Sequence, residues 1–230
     1  MIEFYKKHGL IFYWALLLID CWDTTNGQSE NGYYLNGLLF LSLVLLLALN
    51  FNKRLHTTSK WIIFSALTLN VIGSYLILGD TVNSIFLGYS FYGVTNLLFT
   101  IFMYRLVRKE NISNKEPLIL GSILVIGGAV LFIKSKVDFA GFTYFAYAYG
   151  LILCTLMAIS IKLLSVKNKR TTAINCFIPA SILLCASGVI LVILRISGEN
   201  SGVSILKITE ILCSGYGLAL MVNGAKKVLK

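Results

Sequence analysis

Eight long apolar stretches follow one another along this chain, and they constrain its fold more than any other feature. A hydrocarbon core about 30 Å thick is crossed by roughly 20 apolar helical residues, so each stretch is a candidate transmembrane helix. The eight predicted spans are Gly9–Cys21, Tyr33–Leu49, Trp61–Leu78, Ile85–Leu106, Pro117–Ile133, Phe142–Leu164, Ile174–Ile196 and Val203–Asn223. The connections between them are short. The sequence therefore predicts an all-α, polytopic membrane helical bundle with eight transmembrane helices, forming a single integral membrane domain over residues 1–230.

Composition excludes a soluble globular domain. Hydrophobic residues make up 57% of the 230 residues and charged residues only 13%, whereas globular chains average about 45–50% and about 25%. The net charge of +10 would suit a nucleic-acid-binding surface in a soluble protein, but in a membrane protein it is typical of cytoplasmic loops. The five cysteines lie far apart, mostly within apolar stretches, and predict neither disulfides nor a metal site. No nucleic-acid partner, metal or cofactor is expected.

The basic residues are distributed unevenly between the two sides of the predicted bundle. When successive connections are assigned alternately to the two sides, 16 of the 20 Lys and Arg residues fall on the side that holds both termini. The other four are Lys134, Lys136, Arg195 and Lys207. Because cytoplasmic loops carry an excess of Lys and Arg, this asymmetry predicts that both termini are cytoplasmic. The lack of targeting motifs favours the cytoplasmic (inner) membrane of a bacterium.

The first apolar stretch is short and follows a basic segment, as in a secretory signal peptide. A cleavage site of small residues does not follow it. Instead the stretch ends with Asp20, Trp22 and Asp23. We therefore predict a retained first helix.

Two acidic residues stand out, because an ionisable side chain within a span is costly and is a functional hypothesis by default. Asp80 ends the third span, where it is either functional or merely interfacial. Glu210 is the most deeply placed acid, within the eighth span. It is a candidate for chemistry or for an ion pair with Arg195 or Lys207, the latter lying three residues earlier on the same helix face.

Three asparagines lie within predicted spans and are candidates for hydrogen bonds between helices, a common use of amide side chains in lipid. They are Asn70, Asn96 and Asn175. Sequence signatures of other chemistries are missing: there is no phosphate-binding loop, no Gly-x-Ser-x-Gly elbow and no His-Glu-x-x-His motif.

Four short segments resemble the lysoplasmalogenase-like YhhN family of eight-helix membrane proteins. The segments are 73–80 (GSYLILGD), 96–102 (NLLFTIF), Ser187-Gly188 and 215–219 (GYGLA). The number, order and spacing of the spans are similar over nearly the whole chain. The resemblance implies hydrolysis of the vinyl-ether bond of a lysoplasmalogen, which releases a fatty aldehyde. A membrane lipid, and in particular a lysophospholipid substrate, is the partner that it implies.

The chain departs from the family pattern at four places. Asn96 stands where the family has histidine, Gly188 where it has a second aspartate, Leu220 where it has glutamine, and Asn36-Gly37 where it has Lys-Pro. Among the ionisable family positions only Asp80 is retained. Vinyl-ether hydrolysis requires protonation of the enol ether and delivery of water, work suited to two carboxyl groups.

These considerations predict a set of site residues. Asp80, on the resemblance, and Glu210, as the remaining buried acid, are the predicted catalytic residues. Asn96, Ser187 and Tyr216 are the predicted substrate-binding residues.

Three classes of function remain open from the sequence. The first is a divergent lipid hydrolase. The second is a non-catalytic protein that binds or transports a lipid or small molecule, for which Pro179 in the seventh span offers one helix irregularity. The third is a membrane scaffold, whose interior would be entirely apolar. A cavity lined by Asp80, Asn96 and Tyr216 would favour the first two classes. The substrate and the oligomeric state cannot be read from the sequence.

Overall fold

The fold consists of helices wherever the structure describes the chain. The computed structural model describes residues 2–25, 32–50, 57–77, 81–108, 143–197 and 203–229. Within these ranges there are seven long helices and no strand. They are α1 (Ile2–Thr25), α2 (Gly32–Asn50), α3 (Thr57–Ile77), α4 (Val82–Arg108), α5 (Thr143–Lys162), α6 (Ile178–Ser197) and α7 (Val203–Val228).

Seven of the eight predicted spans correspond to these helices. Their ends differ by a few residues, most at the first span, where α1 starts at Ile2 although the prediction starts at Gly9. The predicted fifth span, Pro117–Ile133, lies outside the described residues. Within the described ranges, five helical segments are long and apolar enough to cross a membrane: Thr57–Ile77, Asn83–Arg108, Tyr147–Ser165, Lys167–Leu191 and Ile205–Val228. The apolar part of α2, Gly37–Asn50, is shorter.

The outer surface of these helices is apolar, as expected of a protein whose solvent is lipid. Large hydrophobic side chains are exposed along several helices, including Leu18, Ile19, Trp22, Leu41, Leu45, Ile182 and Val189. An apolar surface on this scale would be unstable in water. The exposed side chains and the helix lengths together identify a membrane protein.

The seven helices pack side by side as a closed ring in chain order. Each helix contacts the next, and α7 packs against α1 to close the ring. A hydrogen bond marks this closure, because the hydroxyl of Tyr13 on α1 donates to the carbonyl oxygen of Gly215 on α7 at 2.8 Å. Tyr5 likewise donates to the carbonyl oxygen of Ser42 on α2 at 2.9 Å. In lipid such bonds supply part of the attraction between helices that the hydrophobic effect cannot.

The α3–α4 contact depends on two glycines that face each other. A methyl group placed on Gly88 would come within 2.8 Å of the carbonyl oxygen of Gly73, and a methyl group on Gly73 within 2.9 Å of that of Gly88. Only a hydrogen atom fits at either position. Small residues in this arrangement allow two backbones to approach closely, which maximises van der Waals contact between membrane helices.

One end of the ring is basic and tightly packed. The ammonium group of Lys226 on α7 donates to the carbonyl oxygen of Lys6 on α1 at 3.1 Å, so the start of α1 and the end of α7 lie at the same end. Lys169 donates to the carbonyl oxygen of Leu106 at 3.0 Å. We call this the basic end. Its interior is filled by apolar side chains that include Leu46, Leu47, Phe102, Phe177, Met221 and Val222.

A π-helical turn, Ala173–Phe177, precedes α6. Pro179 follows two residues later and lacks the N–H that would bond the carbonyl of Asn175 in a regular α-helix. A wider turn at this point relieves the clash of the proline ring with the preceding turn. The irregularity predicted from Pro179 is therefore present, and it lies beside the packed core, where Phe177 contacts Phe102.

Candidate functional site

The ring encloses a cavity of about 690 Å³ in the half of the bundle opposite the basic end. Residues of all seven helices line it: Tyr13, Leu17, Asp20, Asp23 and Thr24 of α1; Leu39, Phe40 and Leu43 of α2; Leu67, Asn70, Val71, Ser74 and Ile77 of α3; Tyr89, Tyr92 and Asn96 of α4; Tyr149 of α5; Leu184, Ser187, Leu191 and Leu194 of α6; and Lys207, Glu210, Ile211, Ser214, Gly215 and Leu218 of α7. Cavities of this size accommodate small organic ligands.

The polarity of the cavity wall changes along α7. On α7 the lining residues Lys207, Glu210, Ser214 and Leu218 are spaced by three or four positions, so they follow one another along one helix face. In this order their side chains are two charged groups, a hydroxyl and an apolar group. At a rise of about 1.5 Å per residue, this sequence spans roughly 16 Å. On this face of α7 the cavity wall is charged at one end and apolar at the other, an arrangement that suits an amphiphile.

Glu210 and Ser187 meet inside the cavity. The hydroxyl of Ser187 on α6 donates to Oε1 of Glu210 on α7 at 2.8 Å. Ser214, one turn further along α7, also has its hydroxyl beside this carboxyl group. At this length it is a well-formed O–H···O hydrogen bond. Two residues predicted separately, one as catalytic and one as substrate-binding, thus form a single unit.

Glu210 does not pair with a basic side chain in the described part of the chain. Lys207 is exposed and lines the cavity, but its side chain forms no ion pair with the Glu210 carboxylate. The side chain of Arg195, the other predicted partner, lies outside the described residues. Of the two predicted alternatives, the ion pair with Lys207 is not formed, and the Glu210 carboxyl group instead accepts a hydrogen bond from Ser187.

Asn96 connects α4 to α5 across the cavity wall. Its amide Nδ2 donates to the hydroxyl of Tyr149 at 3.2 Å, as expected of an asparagine that bridges helices. Asn96 is only 5% exposed, and its Oδ1 atom has no hydrogen-bond partner among the described residues. A buried acceptor without a donor is costly. The Oδ1 atom is fully buried, whereas Asn96 as a residue contributes to the cavity wall.

The space beside Gly188, where the resemblance implies a second aspartate, is filled by neighbouring side chains. A methyl group there would lie 2.7 Å from a methyl carbon of Leu153 and 3.0 Å from the ring of Tyr149. The tyrosine ring therefore takes the volume that a larger residue at 188 would need. Tyr149 brings its phenol group to Asn96, so the cavity wall here carries a hydroxyl and an amide and no carboxylate.

A third polar pair completes this level of the cavity. The hydroxyls of Ser74 on α3 and Tyr92 on α4 are 2.9 Å apart. Tyr92 and Tyr149 both lie within electrostatic range of Glu210. Hydroxyl groups from α3, α4, α5 and α6 thus surround the side of the cavity that Glu210 faces.

Asp20 is a cavity residue that the sequence analysis used only as evidence against a signal peptide. It is 7% exposed and lines the cavity together with Asp23, one turn along α1. Its carboxyl group lies within electrostatic range of Glu210. An acidic residue at the very end of an apolar stretch was the only signal available, and such residues are commonly interfacial.

One predicted site residue is not part of this wall. Tyr216 is 45% exposed on the outer surface of α7, where its ring packs against Trp14 at 4.7 Å between centroids. On α7 the neighbouring positions Gly215 and Leu218 face the cavity, so Tyr216 projects to the other side. Asp80 lies outside the described residues. Ile77, the last described residue before it, lines the cavity.

The arrangement combines proton-transfer groups with an apolar binding surface. Glu210 and its hydroxyl neighbours can exchange protons with a ligand, and the leucines of α2, α3 and α6 can hold a hydrocarbon chain. In the ranges that the structure describes, no group of three or more His, Cys, Asp or Glu residues could hold a metal ion.

Comparisons with known proteins agree with this architecture. The model of the YhhN family matches residues 34–210, which contain α3 to α6 entirely and most of α2. Searches of curated proteins and of solved structures find no match. The family match covers more than half of the chain and ends at Glu210. The chain belongs to the YhhN family.

Proposed function

We propose that this protein holds a single-chain membrane lipid in the ring cavity and hydrolyses a vinyl-ether bond of the lysoplasmalogen type. The observation that carries the proposal is the pair formed by Glu210 and Ser187 on the cavity wall, where the lining residues of α7 change from charged to apolar. A lipid whose chain occupies the leucine-lined part would place the bond next to its head group at this boundary.

The chemistry needs one proton donor and one water molecule. Transfer of a proton from a carboxyl group to the outer vinyl carbon produces an oxocarbenium ion. Water adds to this ion and gives up a proton to a carboxylate, and the neutral hemiacetal then separates into an alcohol and an aldehyde. General acid catalysis of this kind contributes about 10²–10⁴-fold to a rate. Glu210 is the proposed acid, and Asp80 is the proposed second carboxyl group. Asn96 and Ser187 bind the lipid next to the reacting bond.

We also propose the complete topology. The helix pattern, with an eighth span at Pro117–Ile133, supports eight transmembrane helices. The gathering of lysines at the end of the ring that holds Lys6 and Lys226 supports a cytoplasmic location for both termini. The expected membrane is the bacterial inner membrane.

A non-catalytic lipid-binding or transport role is the second candidate. Asn96 and the Gly188–Tyr149 contact favour it, because neither an amide nor a glycine can supply the ionisable groups that the family pattern has at these positions. The polar wall around Glu210 is unlike the entirely apolar interior of a scaffold.

The test is an assay of the purified protein in lipid nanodiscs with a single-chain vinyl-ether phospholipid, in which the fatty aldehyde is measured. We expect aldehyde release by the wild type and a loss of at least about 100-fold in Glu210→Gln and in Asp80→Asn. Glu3→Gln, an exposed residue at the start of α1, is the matched control and should retain full activity.

The outcomes separate the two candidates. Unaltered activity in Glu210→Gln would remove that residue from the mechanism. If the wild type releases no aldehyde but lipid is detected on the protein by native mass spectrometry, the non-catalytic candidate is favoured instead.

A further inference from the structure

Tyr149 on α5 occupies a narrow place in the cavity wall. Its ring lies between glycines of the two helices on either side. A methyl group on Gly188 of α6 would lie 3.0 Å from the ring, and one on Gly93 of α4 would lie 3.5 Å from it. Larger side chains at these two positions would compete with the ring for the same space. The two helix backbones therefore fix the direction in which the phenol group points.

Asn96 fixes the hydroxyl at the end of this ring. The Nδ2 atom of Asn96 donates to the Tyr149 hydroxyl oxygen at 3.2 Å, and both residues line the cavity. A phenol hydroxyl can accept and donate at the same time, whereas the nitrogen of an amide side chain only donates. The O–H hydrogen of Tyr149 therefore points away from the amide. The position of this donor is set by α4, α5 and α6 together.

Consecutive residues of α6 bring the phenol group and the proposed acid to one level of the cavity. Ser187 donates to the carboxyl group of Glu210, and the next residue, Gly188, lies against the ring of Tyr149. Successive helix positions differ by about 1.5 Å along the axis and by about 100° around it. The two contacts therefore lie at nearly the same depth, and the Tyr149 hydroxyl is within electrostatic range of Glu210.

A phenol donor suits a neutral oxygen atom of a ligand. Such a pair replaces hydrogen bonds to water without moving an unpaired charge into an apolar environment, which would be far more costly. In a single-chain lipid, hydroxyl and ether oxygens lie where the hydrocarbon chain joins the head group. The leucines of the same wall contact the chain.

We infer that Tyr149 is a substrate-binding residue that donates a hydrogen bond to a hydroxyl or ether oxygen of the lipid, and that Asn96 is its positioning residue. The inference rests on the proposed function, in which a single-chain lipid occupies the cavity. The bond fixes the lipid along its length, so that the atoms next to the head group lie beside Glu210.

The experiment compares two probes in nanodiscs: a saturated single-chain glycerol ether and a hydrocarbon of the same chain length without oxygen. Neither has a vinyl-ether bond to hydrolyse. We expect Tyr149→Phe to bind the ether about three- to tenfold more weakly than the wild type, the range that one neutral hydrogen bond predicts. Its affinity for the hydrocarbon should be unchanged. Equal loss for both probes would overturn the inference, because Tyr149 would then only shape the cavity.

Tyr104→Phe is the matched control. Tyr104 is exposed on the outer surface of α4, so the same chemical change there should alter the affinity for the ether by less than about twofold. A loss as large as that in Tyr149→Phe would contradict a specific role of the cavity hydroxyl.

A double-mutant cycle tests the role of Asn96. If Asn96 acts through Tyr149, the loss of ether affinity caused by Asn96→Leu should be about threefold or more smaller in the Tyr149→Phe background than in the wild type. Additive losses would show that Asn96 does not position the hydroxyl.

A fluorotyrosine at position 149 provides a second measurement that keeps the side chain and its hydroxyl in place. Its fluorine resonance should shift on addition of the ether and shift much less on addition of the hydrocarbon. Equal responses to both probes would overturn the inference while leaving lipid binding intact. Failure of the wild type to bind either probe would instead contradict the proposed function.

Discussion

The hydroxyl of Ser187 on α6 donates a hydrogen bond to Oε1 of Glu210 on α7 at 2.8 Å. The bond joins two neighbouring helices of the ring, and both residues line the cavity. It holds the Glu210 carboxyl group in one orientation on the cavity wall. The bond is therefore both a stabilising contact between helices and a means of positioning the proposed acid.

Replacing Ser187 with alanine should destabilise the protein by about 1–3 kcal/mol, because the Glu210 carboxyl group loses a donor that water cannot easily replace. Thermal unfolding in detergent measures the effect. Ser181→Ala is the matched control, since Ser181 is buried on the same helix but bonds the carbonyl oxygen of Phe177 within it. We expect the control to lose less stability. Equal losses would mean that the bond to Glu210 contributes nothing specific.

Gly88→Ala should weaken the α3–α4 contact by about 1–3 kcal/mol, as overpacking of a tight interface typically does. The added methyl group would meet the carbonyl oxygen of Gly73, which belongs to the backbone and cannot move aside. Gly150→Ala on α5 is the control, because no atom lies within 4 Å of a methyl group there. The control should be neutral or slightly stabilising through helix propensity. Melting temperatures of the two variants in the same detergent provide the comparison, and a Gly88→Ala variant as stable as the control would contradict the packing described here.

Asn96→Leu should separate stability from binding. The apolar side chain removes a buried acceptor that lacks a partner, so the unliganded variant should unfold within about 1 kcal/mol of the wild type. The rise in melting temperature produced by a single-chain amphiphile should be lost, because that rise reports ligand affinity. Asn175→Leu, at an exposed position, should keep the full rise. A normal ligand-induced shift in Asn96→Leu would show that the amide does not contact the ligand.

The positions of the chain ends offer a test of topology. The contact between Lys226 and the Lys6 carbonyl places the start of α1 and the end of α7 at one end of the ring. Reporter fusions at the two ends should therefore both report the cytoplasm. Reports from different compartments would contradict both the even number of spans and the ring. Accessibility of a cysteine introduced at Thr24 is the complementary measurement, since this residue should be reached from the opposite side.

The site was only partly predictable. Glu210 could be chosen from the sequence because an acidic residue within an apolar span is recognised without knowing which helices pack against that span. Asn96 and Ser187 were chosen through the family resemblance, and the structure places both on the cavity wall. Tyr216 was placed by the same reasoning, but one step along α7 from Gly215 turns the side chain by about 100° to the outer surface. Neighbouring residues of a short helical motif can therefore face different sides of the helix.

The sequence by itself determined that the chain is a membrane protein made of helices, and it located the seven described helices to within a few residues at most of their ends. These properties follow from local runs of apolar residues, whose backbone must bond internally in lipid whatever surrounds them. The tertiary structure decided which side chains meet. Asp20 and Glu210 belong to the first and last helices, and they share a cavity only because α7 closes the ring against α1. This closure depends on close approach of helix backbones and on single hydrogen bonds such as that from Tyr13 to Gly215. Neither can be predicted from the hydropathy of the sequence.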